Sequence, residues 1–290
     1  MRYSQQGLTL IELMVSLILG LIIIAAATML FIAGQKSFAL QQGAADIQDN
    51  ANFALNYITK DVRLANLGNS TASMTSSLAN GGIVFKTNLA GITTANASQS
   101  EVSGTSNVTT GSDQLTIKYL PTQTGGFDCE GNEITSTSDY VIQRYFVRQD
   151  TNTTGTETSA TALALACDAG RATSAGVVSN FGDSGQILMK RVDYFHVLLV
   201  VENGSGSFRD MTIADYLSSA STNRILGVKL GILVRSSQSV GVDSNIDLTK
   251  SFAVLDKTVT LNSTIQNIKT KNLRQVIAQA VAMRNALGDR

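Results

Sequence analysis

Apolar residues run almost unbroken from Leu8 to Ile32, and Glu12 is the only charge among them. At ~1.5 Å of rise per residue, a helix of that length spans a hydrocarbon core of about 30 Å. Residues 35–66 lose hydrophobicity but keep a helical period. Ile47, Ala51, Ala54, Ile58, Val62 and Ala65 recur at intervals of four and three, which places them on one helix face. Asp46, Asp49, Asn52, Asn56, Lys60 and Arg63 fall elsewhere. Gly68 follows Leu67 and reads as a C-cap. The two patterns join, so the sequence predicts one helix with a membrane-spanning half at 8–32 and an amphipathic half at 33–68.

The period then changes. Residues 69–113 are rich in Ser, Thr, Asn, Ala and Gly, and only Ile83-Val84-Phe85 reads as a strand. Strand patterns occupy 114–120, 140–148, 190–201, 225–234 and 252–261, each with β-branched or aromatic alternation. A second variable stretch covers 149–185. Residues 265–287 fit two periods. Leu273, Ile277, Ala280 and Arg284 suit a helix, whereas Ile277, Gln279, Val281 and Met283 alternate as in a strand.

Charge adds mainly exclusions. The 22 basic and 22 acidic side chains balance, so no basic field argues for direct nucleic-acid binding. Only 15% of residues are charged, with one proline and no tryptophan, a composition common in exported β-rich proteins. Cys129 and Cys167 form no Cys-x-x-Cys, and no His or second Cys lies at ligand spacing, so no metal site is expected. In an exported domain they read as a disulfide, worth roughly 3–4 kcal/mol in the chain-entropy model. Two buried free thiols are the alternative. The N-terminal run is too long for a secretory signal, and its small residue, Gly7, precedes the run instead of following it. Arg2 orients the N-terminus toward the cytoplasm, which leaves residues 69–290 across the membrane.

A lone carboxylate in an apolar helix costs on the order of 2.5–3.5 kcal/mol at the membrane centre and less near an end. Gly7, one apolar residue, then Thr9-Leu10-Ile11-Glu12 resembles the prepilin signature of type IV pilins and type II secretion pseudopilins. That resemblance implies cleavage after Gly7 by a membrane prepilin peptidase and N-methylation of Leu8, where most members carry Phe. The ammonium formed at Leu8 gives Glu12 a partner, in cis one helical turn away or in trans on a neighbouring subunit. The resemblance favours the trans pair, which would set register in a filament. Ser16 and Gly20, with Ala25, Ala26 and Ala27, suit either close helix approach or a plain lipid-facing helix.

Further residues resemble the minor pilin family PilW: Asn52-Phe53-Ala54-Leu55-Asn56-Tyr57-Ile58-Thr59-Lys60-Asp61-Val62-Arg63-Leu64-Ala65, Val192–Val200 with Glu202-Asn203-Gly204, Tyr216-Leu217-Ser218, Val228–Ser236, and the ending Val281-Ala282-Met283-Arg284-Asn285. Members often continue the first stretch with a Gly-aromatic-x-Gly-Cys motif. Here Asn66-Leu67-Gly68-Asn69 lacks the Cys, so any disulfide differs. The resemblance implies an α+β, type IV pilin-like fold: the long helix packed on an antiparallel sheet with long loops, and a last strand near 275–285. It implies a non-enzymatic subunit without cofactors, held in the inner membrane and then in a pilus. Its partners would be other minor pilins, the major pilin, the prepilin peptidase, the assembly platform, a large tip adhesin and, before assembly, membrane lipid. A minor pseudopilin of type II secretion is the alternative. A membrane-anchored binding protein or enzyme would need convergent polar groups that the sequence does not show.

Other motifs carry less. Gly182-Asp183-Ser184-Gly185 copies a serine-protease motif, but the one histidine, His196, follows it in a strand pattern. The Asn-x-Ser/Thr triplets at Asn69, Asn96, Asn107, Asn152, Asn203 and Asn262 are expected by chance in so Ser/Thr-rich a chain. Glu202, Asp210 and Asp215 do not have the spacing of a calcium loop.

Overall fold

The structure is a computed structural model that describes Gly7 and residues 9–153, 157–204, 206–219, 222–240, 246–269 and 271–288. Helix α1 runs over Leu10–Val62. Its N-terminal part stands clear of the rest of the molecule, and its C-terminal part is the spine of the body. Ile47, Ala51, Ala54, Ile58 and Val62 are each at most 1% exposed, so the periodic face is the buried one. The helix stops at Val62, short of the expected end near Gly68. Leu64, Ala65 and Leu67 donate to carbonyls three residues back, and Asn66 turns left-handed at φ 67°. Its N–H leaves the helix axis for the Lys118 carbonyl. Gly68 does hold a positive φ, 77°, but in the following turn.

The fold is α+β, a long N-terminal apolar helix with antiparallel strands, as expected. Two principal sheets take the place of one. The first is six-stranded: β1 (Gln99–Val102), β2 (Ser112–Tyr119), β3 (Tyr140–Gln149), β4 (Leu163–Thr173), β5 (Gly176–Ser179) and β6 (Gln186–Lys190). Strands β5 and β6 pair with opposite halves of β4. The second sheet has the order β12-β9-β7-β8, with β7 at Val192–Glu202, β8 at Phe208–Thr212, β9 at Ile225–Arg235 and β12 at Arg274–Ala282. The strand reading of the C-terminal segment therefore holds. Short helices α2 (Ile213–Ser219) and α3 (Ser263–Gln266) and the hairpin β10–β11 (Ser251–Val254, Lys257–Thr260) complete the body.

Three expectations need correction. Residues 190–201 are not one strand, because Arg191 at φ 62° breaks the run and moves the chain from the first sheet to the second. The variable stretch 149–185 contains β4, which pairs along its length with β3. The strand pattern at 252–261 also folds back on itself at Leu255, φ 57°.

One core joins α1 to both sheets. Ile58 and Val62 pack in the same cluster as Leu115, Tyr145 and Leu165 of the first sheet and Phe195, Leu230 and Ile232 of the second. On the opposite face of the second sheet, Tyr194 and Leu233 meet Val254, Val259 and Ile265 from the hairpin and α3. Strand β7 is covered on both faces, which explains its nearly continuous apolar sequence. Gly231 permits this layering, since a Cβ there would meet Leu255 and Val254 side chains at 2.9 Å.

A buried chain of charges fastens the seam between the sheets. Asp150 pairs with Arg191, Arg191 with Glu157, Glu157 with Arg235, and Arg235 with Asp193. Arg274 closes it on Asp193 at 2.7 Å. Burial alone would raise the Asp150 carboxyl, but the Asn152 N–H, Arg191 and Lys190 outweigh it and hold the group below its usual range.

Candidate functional site

The candidate residues begin at Gly7, which is exposed and lies ahead of the helix. Leu8 lies outside the described residues. Thr9 is the N-cap, in extended conformation at φ −73° and ψ 150°. Its Oγ1 accepts the Glu12 N–H at 3.3 Å, and Glu12 Oε2 accepts the Thr9 N–H at 2.9 Å. This is a capping box, which satisfies two of the four orphan amides at a helix start. It also gives the isolated chain's Glu12 a local partner. The Thr-x-x-Glu spacing states this pairing in the sequence, and the expectation of an ammonium partner alone had passed over it.

From Leu10 to Ile32 the helix presents its apolar side chains outward. Leu10 is 80% exposed and Leu30 76%. None of its most apolar window is buried by the body, and it is long and apolar enough to cross a membrane. Its few polar side chains are satisfied within the helix, Ser16 by the Leu13 carbonyl at 2.9 Å and Thr28 by the Ile24 carbonyl at 2.8 Å, as hydrocarbon surroundings require. Gly20 and Gly34 have open space around them, so another helix could approach there.

Where the helix enters the body, Asp46 Oδ2 accepts the Ser237 hydroxyl at 2.6 Å. At its other end, Asn285 donates through Nδ2 to the Arg63, Leu64 and Ala65 carbonyls at 3.2–3.3 Å. These carbonyls face the last turn, where a helix lacks internal donors. The Asn66 carboxamide returns the contact to the Asn285 carbonyl at 3.1 Å. Asn285 thus docks against the end of the spine.

Cys129 and Cys167 are joined as a disulfide, with Cα atoms 6.1 Å apart. It ties the loop 128–134 to β4, whose Cys167 is fully buried. The remaining candidates are dispersed. Asp210 pairs with Lys229, Asp215 accepts the Thr212 hydroxyl, and Glu202 ends β7. His196 is fully buried between two carboxylates, Nδ1 to Asp113 at 2.6 Å and Nε2 to Asp256 at 2.7 Å. Both ring nitrogens are thereby committed, so Ser184 has no imidazole base. Burial opposes charging the imidazole, but Asp113 and Asp256 outweigh it and raise its pKa.

Residues 2–28 match the family model described as the prokaryotic N-terminal methylation motif. No curated protein matches the chain. Among solved structures the chain is similar to a type IV-like pilin from Thermus thermophilus, at 12% identity and a TM-score of 0.44, over 83% of this chain and 98% of that one.

Proposed function

We propose that this chain is a minor pilin of the PilW type, cleaved after Gly7, methylated at Leu8 and assembled through α1 into a priming or tip subcomplex of a type IV pilus. One observation carries the reading. A prepilin-like junction sits at the head of an apolar helix that the body leaves uncovered, and that helix continues without a break into the core. Such a helix is stable in only two settings, lipid or a bundle of like helices. The match of residues 2–28 to the methylation motif supports the same chemistry at the junction. In this role residues 69–290 are a large body for a unit repeated along a filament, and an end position leaves room for it.

Glu12 is the assembly residue. In the unassembled chain the Thr9 cap holds its carboxylate; in the filament the methylated ammonium of a neighbouring subunit takes it. The protein carries no reaction of its own. Its partners are other minor pilins, the major pilin, the prepilin peptidase, the inner-membrane assembly platform and a large tip adhesin.

The test is co-purification of a tagged full-length chain after mild crosslinking in its own cells. Recovery with other prepilin-signal proteins supports the reading, and their identities separate a pilus from a type II secretion pseudopilus. Glu12→Gln should insert and be cleaved normally yet lose those partners. Recovery of the same partners with Glu12→Gln would remove the register role.

A further inference from the structure

Three carboxylates from distant parts of the chain converge beside the disulfide. Glu130 follows Cys129, Asp168 follows Cys167, and Asp183 sits in the Gly182-Asp183-Ser184-Gly185 turn. Their ligand-competent oxygens all lie within 4.8 Å of one another. The disulfide holds the backbones of the first two in place, and the Gly182 N–H donates to Asp168 Oδ2 at 2.9 Å, which brings in the third.

The local charge does not balance. Arg144 pairs with Asp168 Oδ2 at 2.8 Å, and the neighbouring Asp128 has its own partner in Arg171. Among the described residues neither Glu130 nor Asp183 forms an ion pair. Asp168 is fully buried, and its Oδ1 has no hydrogen-bond partner. A buried carboxylate oxygen left bare beside two further carboxylates is costly unless a proton or a cation meets it. Burial, and then the neighbouring carboxylates, push Glu130 upward; burial first and Asp183 later do the same to Asp168, against Arg144.

We infer that Glu130, Asp168 and Asp183 form a binding site for one hard divalent cation, for which calcium is the probe. The donors are all carboxylate oxygens, the set chosen by hard cations, and the two nearby sulfurs are consumed by the disulfide. Asp183 is exposed, Glu130 half-buried and Asp168 buried, so the site is open on one side for entry and for the waters that complete the shell. Bound there, the ion cross-links the loop 128–134, strand β4 and the turn 182–185. The inference is independent of the filament role.

The experiment is calorimetric titration of calcium chloride into the chelator-treated full-length protein in detergent, repeated with magnesium. One calcium per chain is expected, with dissociation on the order of 10⁻⁴–10⁻³ M as in extracellular modules. Glu130→Gln and Asp183→Asn should each weaken it at least about tenfold while circular dichroism and the disulfide stay unchanged. Absence of calcium binding, or binding unchanged in both variants, would overturn the site. So would infrared detection of a protonated Asp168 carboxyl at neutral pH that persists in saturating calcium.

Discussion

Arg191 and Asp150 form a buried ion pair, Nη1 to Oδ2 at 2.9 Å, at the one residue where the chain passes from the first sheet to the second. Arg191 also reaches Glu157 at 2.7 Å. Removing it takes the buried partner from Asp150 and leaves Glu157 to Arg235 alone. Arg191→Met should cost about 3–5 kcal/mol, read as a lower midpoint in urea unfolding. Arg191→Lys keeps the charge but loses the planar fork, and its midpoint should lie between those of wild type and Arg191→Met.

Asp61 lies at the buried end of α1, where the Tyr145 hydroxyl donates to it at 2.8 Å. Burial pushes its pKa up to about 6. Between about pH 4 and 6 the folded chain keeps a proton that the unfolded chain has released, so stability falls as pH rises through that window. Asp61→Asn accepts the same hydrogen bond without charge. It should unfold at higher temperature than wild type at pH 7.5, by on the order of 1–2 kcal/mol, and lose the slope between pH 4 and 6. Equal melting temperatures at pH 7.5 would refute this account.

His196 titrates with the opposite sign. Its folded pKa lies above the ordinary value, so its contribution is complete below about pH 6.5 and is lost as pH rises through the folded value. As the only histidine in the chain, it gives an unambiguous NMR titration. Asp256→Asn should move that titration to lower pH and loosen the β10–β11 hairpin from the sheet. An unmoved titration would separate Asp256 from the imidazole.

The disulfide spans 38 residues of sequence. Reduction, or the double substitution of Cys129 and Cys167 by Ser, should destabilise the body by roughly 3–4 kcal/mol, seen as a denaturation midpoint that falls on adding reductant.

What the sequence revealed and what it hid follow from the range of the interactions. The α1 face from Ile47 to Val62 was legible because its period is local and its packing one-sided. β4 was hidden because Leu163-Ala164-Leu165-Ala166 has little β propensity; pairing with β3 on one side and with β5 and β6 on the other makes it a strand. The corner at Arg191 was hidden inside an unbroken strand pattern, since only its left-handed backbone and its acidic partners reveal a change of sheet. At the N-terminus, Gly7 to Glu12 could be read as a signature, but Thr9 as its cap needed a spacing rule applied at the edge of the apolar run. The acids Glu130, Asp168 and Asp183 share no local pattern and meet only through the disulfide and a turn.

The clasp between Asn66 and Asn285 joins residues 219 positions apart, and the last strand, β12, lies against both α1 and β9. A ribosome makes Asn285 219 residues after Asn66. The spine therefore waits through synthesis of the strands of both sheets for the groups that finish its end. Contacts so distant in sequence are slow to form, and until they do the β9 edge stays open to wrong partners. Folding of the body is timed by the arrival of its C-terminal residues, and truncations there should trap the chain with its spine formed and its edge exposed.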